Sequence, residues 1–159
     1  MSTINSASVK AFFENSLFLA PITSWFFAQL IKAAIMLSGK RRKTAKDVLE
    51  ALAWRTGGMP SSHSALVTSM ATAAVFKEGF DSNVFILSLW FALIVIRDAM
   101  GVRRASGIQA HVLNLLGKKV SEKMGIEYHP VKEIHGHTPR QVMVGGLLGI
   151  FIAIAYVFL

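Results

Sequence analysis

The chain has 159 residues, of which 53% are hydrophobic and only 16% charged, whereas a soluble domain of this size carries about a quarter charged residues. It contains no cysteine, which excludes a disulfide, a thiolate nucleophile and a cysteine metal site. The formal net charge of +8 sits in short blocks beside apolar segments, a pattern that fits membrane orientation better than nucleic-acid binding.

Residues 1–8 carry no positive side chain and a long apolar stretch follows, so the first apolar helix is expected to be retained rather than removed as a signal peptide. A first span is expected over 16–38, interrupted by Pro21 and Lys32, with Trp25, Phe26 and Phe27 in its outer half. Gly39 stops it. Lys40, Arg41, Arg42, Lys43 and Lys46 follow, and 47–54 reads as a short amphipathic helix at the interface. A Gly57-Gly58-Met59-Pro60 turn leads into Ser61, Ser62 and His63. Residues 65–76, rich in Ala, Ser and Thr, then suit a short second span packed inside a bundle.

A polar turn at 77–83 precedes a third span over 84–96, whose far end carries Arg97, Asp98, Gly101, Arg103 and Arg104. From 105 to 124, Ile108, Val112, Leu115 and Leu116 oppose Gln109, Asn114, Lys118, Lys119 and Lys123, which predicts an amphipathic helix bordering the membrane. Gly125 ends it. Residues 129–137 read as a polar loop, and 139–159 as the last span, with Pro139 at the helix start and Gly145, Gly146 and Gly149 as packing positions. The expected fold is all-α, a single membrane domain over 1–159. It is a small polytopic bundle of about four transmembrane helices with additional interfacial helices.

Lysine and arginine are concentrated in 39–55 and 97–140, against Lys77 alone in the turn between the second and third spans. Both basic segments are therefore expected on the cytoplasmic side, with both chain ends outside. That threading brings Ser61 to His63, Arg97 to Arg104 and His135 to Arg140 to one membrane face.

Three groups distant in sequence thus make a candidate site: Ser61, Ser62 and His63; Arg103 with Arg104; and Gly136-His137-Thr138-Pro139. A helix capped by Ser61 or Ser62 would offer free backbone amides and the positive end of its dipole to an anion. One neutral imidazole can attack phosphorus while a second, protonated, donates to the leaving oxygen. Fixed cations must meet the developing charge, and Arg55, Arg103, Arg104 and Lys132 are the candidates. Asp98, one of only nine acids, is expected to pair with a nearby arginine and hold its geometry.

Met59-Pro60-Ser61-Ser62-His63-Ser64-Ala65 resembles the Pro-Ser-Gly-His motif of the phosphatidic acid phosphatase type 2 and vanadium haloperoxidase superfamily. Gly136-His137-Thr138-Pro139-Arg140-Gln141-Val142, followed by Gly145, resembles its last motif, and Asp98 to Arg104 matches the Asp-x-x-Gly-Val-Arg-Arg segment of the divergent bacterial branch. The resemblance implies a helical bundle in a bacterial inner membrane, with His137 as the phosphorylated nucleophile, His63 as the leaving-group acid, and no cofactor. It runs from about Gly57 onward. Three positions depart from the pattern. No Lys-x6-Arg-Pro motif precedes Gly57, so the lysine and arginine that usually grip phosphate have no direct match, and Arg103 and Arg104 are the candidates to replace them. Val131 stands where an arginine is expected six residues before the nucleophile, with Lys132 beside it. Gln141 replaces the acid that orients the nucleophile, and an amide cannot stabilise the imidazolium by charge.

Either histidine alone would be read as an interfacial side chain meeting water, and the Ser-Ser and Thr-Pro contexts are what favour chemistry. His111, His129 and His135 lack such a context. The leading expectation is a metal-independent phosphatase acting on a phosphorylated lipid or prenyl substrate in contact with membrane lipids, compatible with a homo-oligomer. The competing one is a non-catalytic membrane module that binds phosphorylated lipid or a membrane partner. A metal-dependent hydrolase lacks ligand spacing, and a transporter lacks an acid at mid-membrane.

Overall fold

A computed structural model describes residues 5–39, 44, 58–133 and 136–159, and it is all-helical over them. Six helices follow in order: α1 (Ser6–Phe13), α2 (Ser16–Leu37), α3 (Ser62–Glu78), α4 (Asn83–Met100), α5 (Val102–Met124) and α6 (Pro139–Phe158). The interfacial helix expected over 47–54, Lys40, Arg41, Arg42, Lys43 and Lys46, Arg55 and His135 lie outside the described residues.

Local chemistry sets most boundaries. Asn15 caps α2 by accepting from the Leu17 N–H (2.9 Å), and Ser82 caps α4 by accepting from Phe85 (3.1 Å); such caps contribute about 1 kcal/mol each. Gly101 interrupts the path from α4 into α5, and Gly125, at φ 67°, ends α5 in the left-handed conformation that glycine adopts without strain. A capping box opens α6, in which Thr138 accepts from the Gln141 N–H while the Gln141 side chain accepts from Thr138.

The segments Ser16–Leu37, Asn83–Met124 and Pro139–Phe158 are each long and apolar enough to cross a membrane. The expected second span is α3. It has 17 residues rich in Ala, Ser and Thr, shorter and less apolar than the other three segments, and it packs against α2, α4 and α6. Its buried positions are Ser62, Ser64, Ala65, Val67, Ser69, Ala71, Ala73 and Ala74. Small side chains allow the close backbone approach that holds helices together in a medium as apolar as leucine. Opposite them, a methyl group added at Gly145 would overlap the Ser61 carbonyl, and one at Gly149 the Ala65 carbonyl.

Gly149→Val is expected to destabilise the bundle by about 1–3 kcal/mol, the usual cost of overpacking. Gly146→Ala, whose new carbon would sit 3.5 Å from the Thr68 methyl in ordinary contact, is expected to be tolerated. Thermal melting of the detergent-solubilised protein separates the two.

The chain in 126–133 turns back along α5. Asn114 Nδ2 donates to the Val131 carbonyl (2.9 Å), Tyr128 donates to Asn114 Oδ1 (2.7 Å), and His111 Nδ1 lies 3.1 Å from Glu133. This return path delivers Gly136 onto the backbone of Arg104, where a side chain would not fit.

Candidate active site

The starts of α3, α5 and α6 and the ends of α2 and α4 meet at one end of the bundle, and the site is joined there by backbone bonds. The Ser61 N–H donates to the Gln141 carbonyl (3.0 Å), and the His137 N–H donates to the Ala99 carbonyl (3.0 Å). The first fixes the start of α3 to the first turn of α6. The second fixes His137 to the last turn of α4. Both histidines therefore sit on rigid junctions, their ring centroids 6.3 Å apart and their planes inclined at 57°. A separation of that size lets one small anion contact both rings.

His137 is buried, at 4% exposure. The Thr138 N–H donates to Gln141 Oε1 (2.9 Å), and because only an oxygen can accept there, the orientation of the amide is settled. His137 Nδ1 lies 3.3 Å from the same oxygen, so Nδ1 carries the proton and Nε2 the lone pair. Burial holds this imidazole below the ordinary histidine value, with Lys32 and Arg103 acting in the same direction and the Gln141 hydrogen bond pulling upward. His137 is thus neutral near pH 7, with a free nitrogen.

His63 is half-buried, and its Nδ1 is buried with no partner among the described residues. Ser61 is fully buried and caps α3, its Oγ accepting from the Ser64 N–H (3.3 Å). Ser62 is engaged differently. Its Oγ accepts from Lys32 Nζ (3.0 Å), which also donates to Gln29 Oε1 (3.1 Å).

Lys32 is the residue that sequence reasoning left out of the site. It is 6% exposed, and its charge acts on both imidazoles. Two of its three ammonium hydrogens are accounted for among the described residues, and a third could meet an anion. The available signal was a lysine inside an otherwise apolar span, a placement that is costly unless it serves a site.

The two arginines diverge. Arg103 Nε donates to Asp98 Oδ2 (2.7 Å), which holds the guanidinium while leaving its terminal nitrogens available, and its charge acts on both histidines. Arg104 instead lines a separate cavity of about 430 Å³ with Gly107, Ile108, His111, Glu133 and Gly136. Adjacent helical residues point about 100° apart, so one pair cannot serve one pocket equally. Lys132 is exposed, and the cations acting on the histidines are Lys32 and Arg103. Among the described residues no group of three histidine or carboxylate side chains could hold a metal ion.

A family model described as the Divergent PAP2 family matches residues 13–152. The chain is 38% identical over 156 residues to a protein of Bacillus subtilis (strain 168), the uncharacterized membrane protein YuiD, covering 89% of this chain and 94% of the relative. No solved structure matches the chain significantly.

Proposed function

Because this chain belongs to the divergent PAP2 family and is an integral membrane protein, we propose that it hydrolyses a phosphate monoester or diphosphate of a lipid or prenyl substrate without a metal. The observation that carries the reading is the pair of imidazoles 6.3 Å apart, both within the electrostatic reach of Lys32 and Arg103. In the proposed reaction His137 Nε2 donates its lone pair to phosphorus, the bond from phosphorus to the lipid oxygen breaks, and His63 protonates that oxygen. Water, deprotonated by His63, then attacks the phosphohistidine and releases phosphate. Lys32, Arg103 and the amides opening α3 would hold the equatorial oxygens.

The test is phosphate release by purified protein from phosphatidic acid, phosphatidylglycerol phosphate and prenyl diphosphates in the presence of EDTA. Orthovanadate, which mimics the trigonal bipyramidal phosphoryl group, should inhibit it. No release from any of them would favour the second reading, a membrane module that binds phosphorylated lipid. Gln141 supports that alternative, since its amide orients His137 without stabilising the imidazolium.

The acid limb of kcat/KM should lie below about pH 6.5, the ordinary histidine value, because His137 must be neutral to attack and burial lowers its pKa. In Gln141→Glu the carboxylate would favour the imidazolium, so the limb should move to higher pH; an unchanged profile would show that His137 is not the titrating group. The basic segments support a site facing the cytoplasm. A reporter fused after Leu159 should accordingly read as external and one inserted near Lys43 as cytoplasmic.

A further inference from the structure

Farther along α2 and α3, the faces that carry Lys32 and His63 border an apolar groove. On α3, His63, Leu66 and Met70 are spaced three and seven residues apart and so share one face, and all three are partly open on an otherwise largely buried helix. On α2, Pro21, Trp25, Gln29 and Lys32 form the matching stripe. Its upper part is polar and buried, with Gln29 at 3% and Lys32 at 6% exposure, and its lower part is apolar. Between the lower parts lies a groove of about 300 Å³ lined by Leu17, Pro21, Ile22, Trp25, Leu66 and Met70.

The groove therefore begins about 4.5 Å below His63 along α3 and about 10 Å below Lys32 along α2, and runs on for about 12 Å, at 1.5 Å per residue. A polar, cationic end in line with an apolar furrow on the same two helix faces has the polarity of an amphiphile. We propose that this α2–α3 groove is the binding site for one hydrocarbon chain of the phosphorylated lipid whose headgroup lies between His63 and His137, an inference that rests on the proposed function for the placement of that headgroup. Lipid around the protein is as apolar as the groove, so its contribution comes from close packing rather than from removal of water. Its consequence is register: a chain seated along Leu66 and Trp25 holds the phosphate at the depth of the two imidazoles.

The experiment uses the full chain in phosphatidylcholine vesicles with phosphatidic acid carrying a photoactivatable group in its acyl tail. Labelling is expected on peptides containing 17–25 and 66–70, in the wild type and in His137→Ala alike, and is expected to be displaced by excess unlabelled phosphatidic acid but not by diacylglycerol. Ile22→Trp and Leu66→Trp, which fill the groove, should reduce labelling and raise KM for the long-chain lipid about threefold to tenfold, the modest range of a packing effect. Turnover of a water-soluble aryl phosphate should stay unchanged, which verifies folding. Equal displacement by diacylglycerol would mean that bulk lipid fills the groove and would overturn the inference, as would labelling confined to other helices or an unchanged KM in both tryptophan variants. If no substrate is hydrolysed while headgroup-dependent labelling persists, the phosphatase reading falls and the groove stands. If phosphate is released but labelling ignores the headgroup, the groove alone falls.

Discussion

His137→Ala is expected to reduce phosphate release from every substrate by more than about 10³-fold, because the only group proposed to attack phosphorus is removed and no phosphoenzyme can form. The substitution should leave the bundle intact. The contact that fixes this residue is its own backbone N–H donating to Ala99, which alanine retains, and the capping box that opens α6 is formed by Thr138 and Gln141. Brief incubation with phosphate-labelled substrate should mark the wild type with an acid-labile adduct and leave the variant unmarked. Loss of turnover with an unmarked wild type would point to His137 as a binding group. Wild-type turnover in the variant would overturn the mechanism, and Gln141 would then mark a site that has lost its original reaction.

The sequence was most informative where periodicity and capping act locally. The first span, expected over 16–38, is Ser16–Leu37, and Pro139 opens the last helix as expected. The helix bordering the membrane begins earlier than its apolar pattern suggests, at Val102 instead of 105, because Gly101 breaks the path without unwinding the residues after it. α1 has no counterpart in the sequence pattern: it is eight residues long and capped by Asn5 accepting from the Ser8 N–H (2.8 Å), a stretch too short to produce a recognisable period.

For the candidate site, sequence motifs single out the two histidines that the fold brings together but not Lys32 beside them. Lys32 lies 30 residues before Ser62, and only the packing of α2 on α3 places its ammonium on the serine. Arg103 and Arg104 looked equivalent in one dimension. The direction of each on the first turn of α5, with Asp98 holding the former and Gly136 pressed against the backbone of the latter, is a three-dimensional distinction.

His63→Ala is expected to fail selectively, and the selectivity is its diagnostic. A lipid alkoxide is a poor leaving group that requires a proton as the bond from phosphorus breaks, and general acid catalysis contributes about 10²–10⁴-fold. Hydrolysis of a lipid phosphate should fall by that range. An aryl phosphate with a low-pKa phenol departs without protonation and should lose much less, since the nucleophile and the charges of Lys32 and Arg103 remain in place. The placement of His63 makes the comparison clean, because its ring is half-buried at the start of α3, Nδ1 has no partner among the described residues, and its removal breaks no hydrogen bond found there. If both substrates lost activity equally, His63 would instead be binding or positioning the phosphoryl group, and the proton for the leaving oxygen would have to come from water or from Lys32, whose ammonium already reaches Ser62 in the same turn. A Lys32→Met variant assayed on the same two substrates would then separate those sources.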